Sequence, residues 1–284
     1  MPSLRDIRRR IKSVKNTEKI TKAMELVSAA KLRRAQDRML QARPYADEIT
    51  GVMAELMRRT PEYKHPFLVK REVKRRTIIL VTADRGQVGA MNSSAVRFAV
   101  RESQGASVPV SFVTIGRKGR DSIRRLRCDL IGDVSQYGDR PRVRDLLPAV
   151  QVAMQQYEAA EADQVDVIYT RFISISRQQA TVQRLLPVEP PVDAPPASAD
   201  FLYEPEPKDV LDALLPRYVE SQIYRAVLEN VASEQAARMQ AMHNASDNAR
   251  ELITDLSLTA NQVRQSTITT ELMEIVGGVA ALEG

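Results

Sequence analysis

Cysteine and histidine are nearly absent from this chain of 284 residues. The single cysteine, Cys128, excludes an intramolecular disulfide and a cysteine-based zinc site. It fits a reducing compartment. The two histidines, His65 and His243, lie far apart in sequence. They offer no His-ligand metal cluster and no Ser-His-Asp or Cys-His set. No catalytic residue, cofactor or metal is therefore expected. No run approaches the ~18 apolar residues needed to span a bilayer. The opening MPSLRDIRRRIK has no apolar core of the kind a secretory signal needs. Glycine and proline are missing from two long stretches, between Pro2 and Pro44 and between Pro216 and Gly277. Both read as helices. A continuous helix of the second length would run ~90 Å, longer than a small domain is wide.

Charge is present but unevenly placed. The net charge is +6, with about +8 on residues 1–59 and about −5 on residues 210–284. A basic end alone would suggest nucleic acid. An acidic far end suggests that the two ends lie together. The first stretch keeps a heptad: Leu4, Ile7, Ile11, Val14, then Glu18, Thr21, Glu25, Ser28, then Leu32, Ala35, Met39, Ala42, Ala46, Ile49, Met53 and Leu56. Four consecutive seam positions are polar. Over that stretch the apolar residues move to Ile20, Met24 and Val27, which suggests a stutter, a face turned to outside partners, or both together. The last stretch has its own 3-4 spacing at Met242, Ala245, Ala249, Leu252, Leu256, Thr259, Val263, Ser266, Thr270 and Met273. Two such helices, with a domain between them, pair most simply as an antiparallel coiled coil. Pro44 should kink or break the first helix.

The middle has a different pattern. Apolar, β-branched runs at 77–82, 108–115 and 165–174 read as strands, separated by helical stretches at 92–103, 117–126 and 142–160. The alternation predicts a Rossmann-like α/β domain with a largely parallel sheet. ATVQRLLPV reads as an antiparallel edge strand, and the Pro-rich residues 187–200 as a surface linker. The expected organisation is an N-terminal coiled-coil helix (1–59), a central α/β domain (60–207) and a C-terminal coiled-coil helix (208–284).

Two stretches invite a chemical reading. ADRGQVGAMN follows a strand and precedes a helix, where a phosphate loop would sit, but it lacks both G-x-G-x-x-G and a Walker lysine. A strand-to-helix turn is the simpler reading. GRKGRDSIRRLR is basic, without aromatic residues for base stacking, and reads as a solvated helix face. A stand-alone basic coiled coil that binds nucleic acid is the alternative function. A small α/β enzyme with helical arms finds no catalytic set.

Four stretches carry a family resemblance: IRRRIKSVKNTEKITKAMELVSAAKLRRAQ, TADRGQVGAMN, YEPEPKDVLDALLPRYVESQIYRAVLENVASEQAARMQAMHNASDNARELI and NQVRQSTITTELMEIVGGVAAL. The chain resembles the gamma subunits of F-type ATP synthases over essentially its whole length. Where the family usually shows Leu-Cys-Gly-Gly after Asp-Arg-Gly, this chain has Gln87, Val88, Gly89 and Ala90, and Gln262 stands where a basic residue is often found. The resemblance implies a non-catalytic central rotor shaft, one copy per complex. Its partners would be the alpha and beta subunits, epsilon and the membrane ring of c subunits, with delta reached only through the complex. The site would be the cytoplasmic face of the bacterial plasma membrane. By the same resemblance, Met24, Arg238, Arg264, Gln265, Thr269 and Glu271 contact the beta subunits. The cysteine-containing regulatory insert of plastid members has no counterpart.

Overall fold

The computed structural model describes residues 3–60, 63, 65–189 and 206–282. Five strands form one sheet: β1 (Arg76–Val81), β2 (Val110–Ile115), β3 (Asp129–Val134), β4 (Gln164–Phe172) and β5 (Gln178–Leu186). Their order is β3-β2-β1-β4-β5, with β5 antiparallel to β4 and every other pairing parallel. Helices α2 (Met91–Gln104), α3 (Arg117–Arg125) and α4 (Val143–Glu158) make the crossovers. The order reverses between β1 and β4, which is the doubly wound arrangement. Two long helices flank this domain in sequence, α1 (Leu4–Arg59) and α5 (Pro207–Leu282).

Strand alternation explains the layering. Side chains two apart share a face. On one face Ile78, Leu80, Phe112 and Ile168 pack against Ala95 and Ala99 of α2 and Ile123 of α3. On the other, Ile79, Val81, Val113, Val167 and Tyr169 join one core with Leu146 and Ala153 of α4, Ile49, Met53 and Leu56 of α1, and Leu215, Ile223 and Val227 of α5. Each buried aliphatic or aromatic side chain of this kind contributes about 1.5–3 kcal/mol. Because both faces are covered, β1 reads as an unbroken apolar run.

The expected strands and helices are present, and β5 is the antiparallel edge. β3 was not foreseen. It carries Asp129, Gly132 and Asp133, and none of its residues is fully buried, so it shows no apolar run. Pro44 does not break α1, which continues through it. The proline ring is exposed. The carbonyl it leaves without an intrahelical donor is that of Leu40, itself 61 % exposed. Ala46 and Ile49 then anchor the next turn. In the Pro-rich stretch, residues 190–200 lie outside the described residues, while Val188 is buried after a cis Leu186–Pro187 bond.

The chain packs as two compact units, Ser28–Arg238 and Met1–Val27 with Met239–Gly284. Their limits fall inside the two long helices, so the sheet unit takes in residues 28–59 and 207–238 as well as the central α/β domain.

Candidate partner-binding surfaces

In the helical unit α1 and α5 run antiparallel. Glu18 accepts from Arg250 at 2.9 Å, Thr21 and Ser246 share a 2.7 Å hydroxyl bond, and Glu25 lies 3.3 Å from His243. Each step forward on α1 is a step back on α5. The polar seam positions therefore stay in register. Thr21 is buried, and Glu18 and Glu25 are partly covered. A stutter is excluded, because Ile20 is 60 % and Val27 53 % exposed. Burial works against the Glu25 carboxylate. The Lys22 ammonium and His243 outweigh it and hold this carboxyl below the usual glutamate range. From 242 onward the covered positions on α5 are Met242, Ala245, Ser246, Ala249, Ile253, Leu256, Ser257, Ala260 and Val263. Leu252, Thr259, Ser266, Thr270 and Met273, expected in the seam, face solvent. In place of Leu252 and Thr259, the next residues Ile253 and Ala260 are the covered ones, while Met242, Ala245, Ala249, Leu256 and Val263 hold their expected places.

Continuing that register places Leu4, the first residue of α1, opposite Arg264. Beyond it α5 is uncovered. Every residue from 264 to 278 is exposed, including Ile268, Leu272, Met273, Ile275 and Val276. The hydroxyls here bond back along the helix: Thr267 to the Val263 carbonyl, Thr269 to Gln265 and Thr270 to Ser266, at 2.9–3.0 Å. Arg264, Gln265, Thr269 and Glu271 thus lie within two turns on a bare helix, with their side chains exposed. Met24 is half-buried on α1.

Arg238 is turned inward. Its side chain is 9 % exposed and pairs with Glu234 at 2.6 Å. It also donates to the Gly86 carbonyl at 3.3 Å and to Gln235 at 3.4 Å. Gly86 belongs to the turn after β1. Asn92 ties that turn together, accepting from the Ala83 amide at 3.0 Å and donating to the Arg85 carbonyl at 3.3 Å. Asp84 accepts from the Arg117 amide at 2.9 Å, so the first turn of α3 is already occupied by a carboxylate of the chain. The change to Gln87-Val88-Gly89-Ala90 keeps a buried apolar residue, since Val88 packs with Met91 and Ala237. On the basic helix α3, Arg120 and Arg124 reach Asp133 at 3.5 and 3.3 Å, as a solvated charged face would.

Strand ends at a topological switch point usually border a ligand crevice. Here α5 engages them. Asn230 accepts from the Thr170 amide at 3.3 Å, and Ser233 donates to the Thr170 carbonyl at 2.9 Å. The buried Tyr137 hydroxyl donates to the Thr82 carbonyl at 2.6 Å. Sequence reading missed this layer. The Glu234–Arg238 spacing of four was visible, but nothing local marked Asp139, whose partners Lys31, Arg38 and Gln235 lie about a hundred residues away.

A cleft of about 1170 Å³ in the sheet unit is lined by Met39, Leu40, Tyr45, Phe172, Tyr224 and Glu229, among others. Burial pushes the Glu229 carboxyl above its ordinary range, against the pull of Arg225. Among the described residues no group of acidic, histidine or cysteine side chains is placed to hold a metal ion, and no helix is long and apolar enough to cross a membrane.

A family model described as ATP synthase matches residues 3–282. An ATP synthase gamma chain of Herpetosiphon aurantiacus is 49 % identical, with 99 % of each chain covered. One of Dehalococcoides mccartyi is 47 % identical over 99 % of this chain and all of the relative. Among solved structures, a chain of the central stalk and c-ring of Tetrahymena thermophila mitochondrial ATP synthase superposes with TM-score 0.63 at 27 % identity, covering 80 % of this chain and 99 % of that one. A chain of the Euglena gracilis mitochondrial enzyme superposes with TM-score 0.69 at 19 % identity, over 98 % and 94 %, a likeness of fold.

Proposed function

The chain belongs to the ATP synthase gamma chain family, and from that premise we propose that it is the central rotor shaft of a proton-translocating ATP synthase. It binds no nucleotide. It carries torque between a membrane c-ring and a ring of alpha and beta subunits, changing the affinity of three beta sites in turn. It works as one copy per complex, touches epsilon beside the c-ring, and reaches delta only through the assembly. It sits peripherally at the cytoplasmic face of a bacterial plasma membrane.

The observation that carries this reading is the bare end of α5. A single helix with Ile268, Leu272, Met273, Ile275 and Val276 all exposed is stable in water only if something else covers it. Arg264, Gln265, Thr269 and Glu271 supply the polar contacts there, and the planar guanidinium of Arg264 suits a carboxylate. Met24 supplies a contact from α1. The Arg238 guanidinium is taken up within the sheet unit by Glu234 and the Gly86 carbonyl. A nucleic-acid coiled coil is disfavoured by Glu18 and Glu25, which place acid in the basic helix's own seam.

Co-purification tests the proposal. The tagged chain, drawn from gently solubilised membranes, should arrive in a complex with ATPase activity and three beta-like subunits per copy by native mass. A lone chain or homodimer without ATPase would overturn it.

A further inference from the structure

Asp139 stands where three parts of the sheet unit meet. Its carboxylate accepts from Lys31 of α1 at 2.6 Å and from Gln235 of α5 at 3.5 Å, and its carbonyl accepts from Arg38 of α1 at 2.9 Å. Gln235 is buried beside Arg238, which holds Glu234 and the Gly86 carbonyl. The loop after β3, the turn after β1, α1 and α5 are thus joined by one chain of polar bonds. Ser233 and Asn230 add bonds from α5 to the backbone of β4.

Such a layer is a poor way to gain stability. A buried ion pair roughly cancels its own desolvation, and apolar residues of similar size often serve as well. What it does supply is direction. Apolar packing resists separation but offers little against sliding or twisting, whereas bonds from a planar guanidinium to fixed carbonyl and carboxylate oxygens hold one register. We propose that the Glu234–Arg238 pair, with Gln235 and Asp139, is a torque clip: it fixes α5 in rotation and in register against the strand-end turns, so that load applied to the sheet domain passes into the helix. The clip rests on the rotor reading. In it Arg238 is a positioning residue, acting through Gly86 and Glu234 and not through a partner subunit.

The test uses the assembled complex in inverted membrane vesicles. The double variant Glu234→Leu/Arg238→Met replaces the pair by apolar side chains of similar reach. Its melting temperature should match or exceed the parent's, while protons pumped per ATP hydrolysed should fall more than twofold. Unchanged pumping per ATP would overturn the clip. So would a loss of pumping that tracks a loss of melting temperature, because that is ordinary destabilisation. If the double variant fails to assemble, Arg238→Lys decides: one guanidinium nitrogen holds Glu234 and the Gly86 carbonyl while the other reaches Gln235, and a lone ammonium lacks that second nitrogen, so pumping per ATP should drop, and parental pumping would overturn the proposal. If the parent complex itself pumps no protons on ATP, the rotor reading fails, and the clip falls with it.

Discussion

Gly116 has φ of 107°, and a Cβ there would lie 2.1 Å from the Thr82 carbonyl oxygen. Backbone at that distance has nowhere to go. Gly116→Ala should therefore lower unfolding stability by about 3 kcal/mol or more, measured by urea titration. Glu229 gives a subtler prediction. Burial raises its carboxyl pKa in the folded chain, and Oε2 has no hydrogen-bond partner. The folded state thus holds this proton more tightly than the unfolded one. The penalty is absent below the unfolded carboxylate value, near 4.5, and grows as pH rises from there through the raised folded value. Glu229→Gln should stabilise the chain at pH 7, by less than about 1 kcal/mol given the half-exposed Arg225 beside it. The gain should vanish at pH 4, as thermal melts at the two pH values would show.

Among the elements, α1 shows how far a heptad can be trusted. All of its sixteen seam positions from Leu4 to Leu56 are at least partly covered. The period told where the helix faces, including where the seam turns polar. It did not tell what the polar residues meet, because Ser246, Arg250 and His243 lie more than two hundred residues away. On α5 the expected positions Met242, Ala245, Ala249, Leu256 and Val263 are covered, while Leu252 and Thr259 miss the seam by one residue, since alanine and serine carry too little apolar signal to fix a register. β1, β2 and β4 were legible as apolar runs; β3 was not, because an edge strand with no buried residue has nothing to show. Of the candidate contacts, the exposed set on α5 lies together as the motif suggested, while the inward turn of Arg238 depends on Gly86, far off in sequence. Two predictions follow from the helices themselves. Pro44 sits inside a continuous helix at an exposed site, so Pro44→Ala should stabilise the chain by about 1–3 kcal/mol in thermal melts. Met24→Lys places a new charge on a half-buried helix face; in the assembled complex it should lower coupled ATP synthesis. If synthesis is unchanged and only the isolated chain is destabilised, Met24 is a packing residue.

At the scale of the molecule, the helical unit is a pair whose seam is polar in its middle and whose longer member ends bare. Polar contacts form and break more readily than apolar ones, which suits a shaft that meets three equivalent subunits in succession. The bare end adds nothing to the fold of the isolated chain, since residues 264–278 are all exposed and meet no other helix among the described residues. A chain ending at Arg264 should melt within about 2 °C of the full chain, yet deliver less torque once assembled. The central claim, that this chain turns, is tested most directly by single-molecule rotation. The alpha-beta ring would be fixed to a surface, a nanorod attached to the sheet domain, and ATP added. A central shaft should turn in one direction with three dwell positions per turn. ATP hydrolysis by the same complexes with the nanorod stationary or moving at random would contradict it.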